Sequence, residues 1–249
     1  MKILLISGHG AGDTGALGCG YKEFELTREL TKLIKNTLKD YATVDIYDTT
    51  RNAYKDIQSG KFNIGKYDYA FEVHFNAFNG NAHGTEIFVT TKEKGISVEQ
   101  GIMKKMSRYF TLRDDSKPVD GVKRTNFLVI NTLKNKGISA SLIETCFIDN
   151  KTDMKVYQAN KDRIAKDIAQ AIAEGFGLKK AKKEVTVGSS VKVDDDAVVG
   201  GLASNRGAKA STYLKSNTWK VKEIKKIKNE NEALLSCNTW IAVKYLTVA

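Results

Sequence analysis

The sequence predicts an α/β fold, a central and mostly parallel sheet flanked by helices, followed by a small all-β barrel. Three observations carry this expectation. Residues 1–178 alternate short apolar runs with longer amphipathic stretches, the pattern of successive βαβ units. From about residue 180 that alternation gives way to short β-branched segments separated by turn residues. Chemically versatile side chains also recur where apolar runs stop: His9 after Ile3-Leu4-Leu5-Ile6, His74 after Tyr69-Ala70-Phe71, and Glu144 after Ser141-Leu142-Ile143. Open parallel sheets gather ligands at the carboxyl ends of their strands, so residues far apart in the chain can meet there.

The first strand is expected over 2–7, one lysine followed by four aliphatic residues and a serine. The first helix follows over 23–39, because Leu26, Leu30, Leu33, Ile34 and Thr37 share one face at about 100° per residue. Glu23 falls on that same face, whereas Glu25 points roughly opposite. A carboxylate on a buried face needs a metal ion or an arginine as partner. The alternative is a residue that only decorates the helix N-terminus, where negative charge is favoured. Further strands are expected over 43–47, 67–75, 85–90, 126–130 and 139–144, and helices over 97–109 and 161–176. The last helix meets its stop at Gly175 and Gly177.

Lys179-Lys180-Ala181-Lys182-Lys183 reads as a charged connector, and strand-like segments follow over 184–187, 190–193, 197–199, 221–227 and 239–246. The expected organisation is therefore a domain over 1–178, a linker over 179–183 and a small β-domain over 184–249.

Composition narrows the function classes. Hydrophobic residues make up 41% of the 249 and charged residues 28%, as in an ordinary globular protein. No window approaches the roughly 18–20 consecutive apolar residues of a membrane span. The N-terminal apolar run leads directly into His9 and reads as a strand rather than a signal peptide. If the protein acts outside a membrane, a separate agent must release it. Cys19, Cys146 and Cys237 are scattered without metal spacing, which suits reduced thiols. Cys146, two residues from Glu144, is a candidate nucleophile, but no further histidine is evident as its base.

The net charge of +11 suits an anionic partner. The surplus is uneven, because residues 179–249 carry 14 Lys and Arg against 7 Asp and Glu. No nucleic-acid fingerprint accompanies it.

Two histidines, a glutamate on a helix face and a strand-end glutamate suit a catalytic zinc with an open position and a general base beside it. The turn Ser7-Gly8-His9-Gly10-Ala11-Gly12-Asp13 matches neither a dinucleotide fingerprint nor a P-loop. Its glycines would let backbone approach an ion closely. After His74, Asn76 could hydrogen-bond substrate or orient a ligand, and Glu86 could support a ligand from behind. His83 reads as loop surface, a substrate contact or an extra ligand. For Glu144, the bland alternative is a salt bridge to Arg124 or Lys123.

Taken together, these stretches resemble the zinc-dependent N-acetylmuramoyl-L-alanine amidases of the amidase-3 family, in the form found in phage endolysins and bacterial autolysins. The likeness rests on Gly8-His9-Gly10, Asp13 with Gly15-Ala16, Glu23, His74-Phe75-Asn76-Ala77, Gly84-Thr85-Glu86, and Ile143-Glu144 with Phe147 and Asn150. It implies zinc held by His9, Glu23 and His74, with Glu144 as catalytic base and acid. Asn76 and Glu86 are then expected near the substrate.

The bond cut would be the amide between the muramic acid lactyl group and L-alanine in peptidoglycan. Glu72, Thr27, Cys146 and Asp149 depart from the family's usual small polar residue, Asn, Gly and Ser. They leave every proposed ligand in place and bear on the shape of the groove. The tail resembles SH3-like wall-binding modules through Gly200-Gly201-Leu202-Ala203, Arg206-Gly207 and Trp240-Ile241-Ala242-Val243. That implies anionic wall polymers as partners, not nucleic acid, and no insertion into a membrane. The alternatives are a zinc carboxypeptidase acting within the stem peptide, a non-catalytic wall-binding protein on the same scaffold, and a basic nucleic-acid binder.

Overall fold

The computed structural model describes residues 1–113, 121–181, 184–202, 206–227 and 229–249. Lys182 and Lys183 of the expected linker and Ala203 of the Gly-Gly-Leu-Ala stretch lie outside them. The chain divides into two compact units, Met1–Lys180 and Ala181–Ala249.

The first unit contains, in order, β1 (Lys2–Ser7), β2 (Leu17–Gly18), β3 (Tyr21–Lys22), α1 (Glu23–Leu38), β4 (Thr43–Ile46), α2 (Ala53–Gln58) and β5 (Tyr69–Asn76). It continues with β6 (Glu86–Val89), α3 (Ser97–Met106), β7 (Val122–Arg124), α4 (Leu128–Asn135), β8 (Ser139–Phe147) and α5 (Lys151–Gly175). Six strands form one sheet in the order β4-β1-β5-β8-β6-β7. The β1, β4, β5 and β8 strands pair in parallel, and β6 meets β8 antiparallel. The sheet is thus mostly parallel, as expected, with helices on both faces.

Alternation along the strands divides the core. Ile3, Leu5, Phe71, Val73 and Ile143 pack with α1, α3 and α5. Leu4, Ile6, Ala70, Ala140 and Leu142 pack with α2 and α4. Glu72 and His74 continue the Ala70 row, and Glu144 continues the Leu142 row, so all three project on the α2/α4 face. The register between β5 and β8 shifts just after His74 pairs with Glu144, so that Asn76 meets Phe147. Such bulges re-aim side chains beside active sites.

Two expected elements of this unit are corrected, and one helix is added. Residues 126–130 do not form a strand. Val129, Ile130 and Leu133 are buried at helical spacing in α4, so packing overrides their β propensity. The last helix starts at Lys151 rather than at 161, with Asn150 accepting from the Thr152 and Asp153 N–H groups as its N-cap. The short α2, capped by Asn52, was absent from the periodicity because it buries only Ala53 and Asp56.

The second unit holds β9 (Ser190–Val193), α6 (Thr212–Ser216), β10 (Thr218–Ile227), β11 (Glu230–Leu235), β12 (Trp240–Ala242) and β13 (Leu246–Val248). Its strands make one antiparallel sheet, β12-β11-β10-β9-β13. The stretch expected as a strand over 184–187 is irregular. A separate core of Val191, Val193, Val221, Leu235, Ile241 and Leu246 fills the unit, with Trp219 and Tyr245 packed against it. Tyr213 is exposed and meets Trp219 edge to face. The buried Glu232 accepts from the Gly201 and Leu202 N–H groups. A Cβ on Gly200 would lie 2.5 Å from that carboxylate, which accounts for the glycine.

Both clusters of the first unit draw only on residues up to Leu178. A fragment ending at Lys180 is therefore expected to fold and melt cooperatively, as read by circular dichroism. An insoluble or non-cooperative fragment would contradict that expectation.

Candidate active site

The site is built where β1, β5 and β8 end and α1 begins. Glu23, the first residue of α1, is only 3% exposed. Its Oε2 lies 3.0 Å from His9 Nε2 and accepts from the Ala16 N–H. Its Oε1 lies 2.9 Å from His74 Nδ1 and accepts from the Phe75 N–H. Burial alone would raise the pKa of this carboxyl, but the two imidazoles hold it well below the usual carboxylate range.

Burial opposes charge on both histidines, yet hydrogen bonding to Glu23, and to Asp13 or Glu72, raises His9 above its ordinary value and His74 well above it. The two rings stand 4.9 Å apart and nearly perpendicular. One ligand atom from each of His9, Glu23 and His74 lies within 4.8 Å of the others. Two imidazole nitrogens and a carboxylate so close together, beside an open cavity, form a donor set that fits zinc.

The glycines make room for these side chains. A Cβ on Gly8 would sit 2.3 Å from His74 Cε1, and one on Gly15 would sit 2.6 Å from both Glu23 Oε2 and the His9 ring. Close approach is thus needed, but to the side chains that surround the site. Gly8→Ala is expected to displace the His74 ring and lower stability by about 1–3 kcal/mol. Weaker metal uptake should follow. A variant with unchanged melting temperature and metal content would contradict this packing.

His9 itself has φ +63, a conformation that non-glycine residues rarely adopt. Arg28 holds it there, donating to the carbonyls of Gly8 and His9 and, from the same guanidinium, to those of Phe24 and Thr49. On its other side Asp13 Oδ2 lies 3.0 Å from His9 Nδ1 and accepts from the Asn52 side chain, while Asp13 Oδ1 accepts from the Gly15 N–H. Arg28 and Asn52 were not singled out from sequence. Arg28 lies off the apolar face of α1, and Asn52 is legible only as a helix cap.

Glu144 lines a cavity of about 360 Å³ together with His9, His74, Glu72 and Asp13. Its far wall comes from Ala53 and Tyr54 of α2 and from Phe127, Leu128 and Val129 at the start of α4. Tyr54 and Phe127 are exposed there, and Phe127 rests edge-on against Phe88. Burial, countered by His74 and reinforced by Glu23, Glu86 and Glu72, pushes the Glu144 carboxyl up to about 8. The alternative salt bridge is not formed. Lys123 pairs with Glu86, and Arg124 donates to the Thr90 and Glu93 carbonyls.

The remaining candidates separate. Glu86 is 4% exposed and pairs with Arg113 and Lys123 while accepting from Asn76. Both of its carboxylate oxygens are thus engaged by neighbouring side chains. Asn76 itself is partly exposed and also accepts from the Ala77 N–H. His83 is exposed and near the Asn81 carbonyl, and does not join the cluster. Cys146 is fully buried with its thiol pushed well up by that burial, which leaves it inert as a nucleophile.

Comparison with known proteins gives consistent matches. The family profile described as N-acetylmuramoyl-L-alanine amidase (Amidase_3) matches residues 3–174. The chain is 28% identical over 204 residues to the endolysin of Bacillus phage SPP1, covering 78% of this chain and 71% of that protein. It is 26% identical over 190 residues to the probable autolysin PH of Staphylococcus aureus, covering 69% of this chain but only 38% of that longer protein. Among solved structures, the catalytic domain of the CD27L endolysin targeting Clostridia difficile superposes with a TM-score of 0.59 at 27% identity. That match covers 70% of this chain and 97% of that domain.

Proposed function

This chain belongs to the Amidase_3 family and is an N-acetylmuramoyl-L-alanine amidase, and on that premise we propose that it is a zinc enzyme acting as an endolysin in host lysis. His9, Glu23 and His74 would hold the ion, and Glu144 would move the proton. The observation that carries this reading is the convergence of those three donors beside the cavity that Glu144 lines. Bound there, zinc would supply Lewis acidity to the scissile carbonyl and acidify water.

The chain's own residues do the rest. Glu144 takes the proton of the attacking water and returns it to the nitrogen of the departing L-alanine. In the metal-free chain burial pushes this carboxyl up to about 8, and a neighbouring dication would favour the carboxylate form that takes the proton. The apolar wall of Ala53, Phe127, Leu128 and Val129 excludes water from one side of the reacting amide. Asn76, steadied by Glu86, would contact the substrate.

The second unit would serve as an SH3-like wall-binding module. Its support is an antiparallel sheet with its own core and a surplus of basic residues suited to anionic wall polymers. Tethering would raise the local substrate concentration without altering the chemistry. Among the described residues no helix is long and apolar enough to cross a membrane. Release from the cytoplasm to the wall would then depend on a holin-type partner.

Digestion of purified peptidoglycan, with and without a chelator, tests the reading. New free lactyl groups on muramic acid and new L-alanine amino termini, abolished by chelation and restored by zinc, are expected. Cleavage inside the stem peptide, or activity indifferent to chelation, would overturn it.

Metal uptake carries a pH signature. Both imidazoles have raised pKa values in the metal-free chain, and zinc requires them neutral. Binding should release protons, and apparent affinity should climb as pH rises through neutrality, by about tenfold per unit for each proton released. Calorimetry in two buffers of different ionisation enthalpy counts those protons. A count of zero would contradict the assignment.

A further inference from the structure

We propose that Glu72 is a positioning residue of this site. Its carboxylate accepts from the Nε2–H of His74, which fixes the tautomer that leaves Nδ1 available to a divalent cation and so sets the affinity of the site. The role rests on the zinc reading above and adds a residue to it.

His74 is bracketed by carboxylates. Its Nδ1 lies 2.9 Å from Glu23 Oε1, and its Nε2 lies 3.2 Å from Glu72 Oε1. The nitrogen facing Glu23 is the one placed to share an ion with that carboxylate, and the other is turned towards Glu72. The strand imposes this arrangement. Glu72 and His74 are two residues apart on β5, so both side chains leave the same face, in register with Leu142 and Glu144 of β8.

His9 is built the same way, with Nε2 towards Glu23 and Nδ1 towards Asp13. Each imidazole thus carries an anionic acceptor on the nitrogen turned away from Glu23. Such acceptors orient metal-binding imidazoles and raise their basicity.

Glu72 is less engaged than Asp13. Asp13 also organises its turn through Gly15 and Asn52. Glu72 is 4% exposed, and among the described residues His74 is its one hydrogen-bonding side chain and its Oε2 has no partner. A carboxylate kept buried with so little compensation is costly. Its hydrogen bond falls on the imidazole it touches, while its charge also bears on Glu144.

The test compares zinc affinity, by chelator competition, in the full-length wild type, Glu72→Gln and Glu72→Ala. The wild type should bind one zinc, and Glu72→Ala should bind it about 10–100-fold more weakly. Glu72→Gln should recover most of the loss, because its amide oxygen still accepts from Nε2–H. Nitrogen-15 NMR of the zinc-loaded wild type gives a readout that needs no variant. The His74 Nε2 proton should be protected from solvent exchange, with the metal shift on Nδ1.

Wild-type affinity in Glu72→Ala, equal losses in both variants, or a metal shift on Nε2 would each overturn the role of Glu72 while leaving zinc binding intact. A wild-type chain that takes up no zinc would instead refute the underlying zinc reading, and this role with it.

Discussion

Glu144→Gln is expected to lower turnover of peptidoglycan by about 10²–10⁴-fold, the range over which a positioned general acid–base acts, with zinc content unchanged. The substitution keeps the shape of the side chain at the end of β8 and removes only its capacity to exchange a proton. Glu144 is not among the three clustered donors, and among the described residues its Oε2 has no partner, so neither the metal position nor a structural hydrogen bond should suffer. Released amino termini and elemental zinc, measured on the same preparation, check both halves. Near-wild-type turnover would remove Glu144 from the chemistry, and simultaneous loss of zinc would make it a ligand instead.

The second large effect is expected from His74→Ala and, separately, from His9→Ala, each of which should abolish stoichiometric zinc binding. Either substitution also strips the buried Glu23 of one of its two imidazole partners. Removing one of two partners leaves that buried charge only partly compensated, at a cost of up to roughly 3–5 kcal/mol. The melting temperature should therefore fall along with the metal. His83→Ala, in an exposed loop residue outside the cluster, should change neither quantity. Retention of one zinc per chain in either His9→Ala or His74→Ala would contradict the ligand set.

Much of this site could be read from the sequence because strand ends and helix faces are periodic features. His9 and His74 end apolar runs, and the 100° rotation of α1 puts Glu23 on its buried face, where the structure finds it at 3% exposure. The limits are also physical. Leu128, Val129 and Ile130 look like a strand, and only the packing of α4 over the sheet makes them the start of a helix forming the cavity wall. The start of α5 was legible in Asn150 followed by Asp153, but the mostly polar stretch 158–163 separates Met154 and Tyr157 from Ile164 and broke the periodicity.

The supporting residues were harder still. Arg28 acts through carbonyls of the β1–α1 turn and of the segment after β4, and no spacing in the sequence announces that convergence. Glu86 is attractive in sequence as a polar residue after Gly84-Thr85. Its pairing with Arg113 and Lys123 depends on long-range contacts that turn it inward.

The central claim is that one divalent cation is held by His9, Glu23 and His74 and by no other side chain. Anomalous diffraction at the zinc absorption edge, from crystals of the zinc-loaded chain, addresses it directly. The account predicts a single strong peak about 2.0–2.2 Å from His9 Nε2, His74 Nδ1 and a Glu23 oxygen, on the side of the cavity facing Glu144. A zinc-loaded crystal with its peak elsewhere, or with Glu144 in place of one of the three ligands, would contradict it.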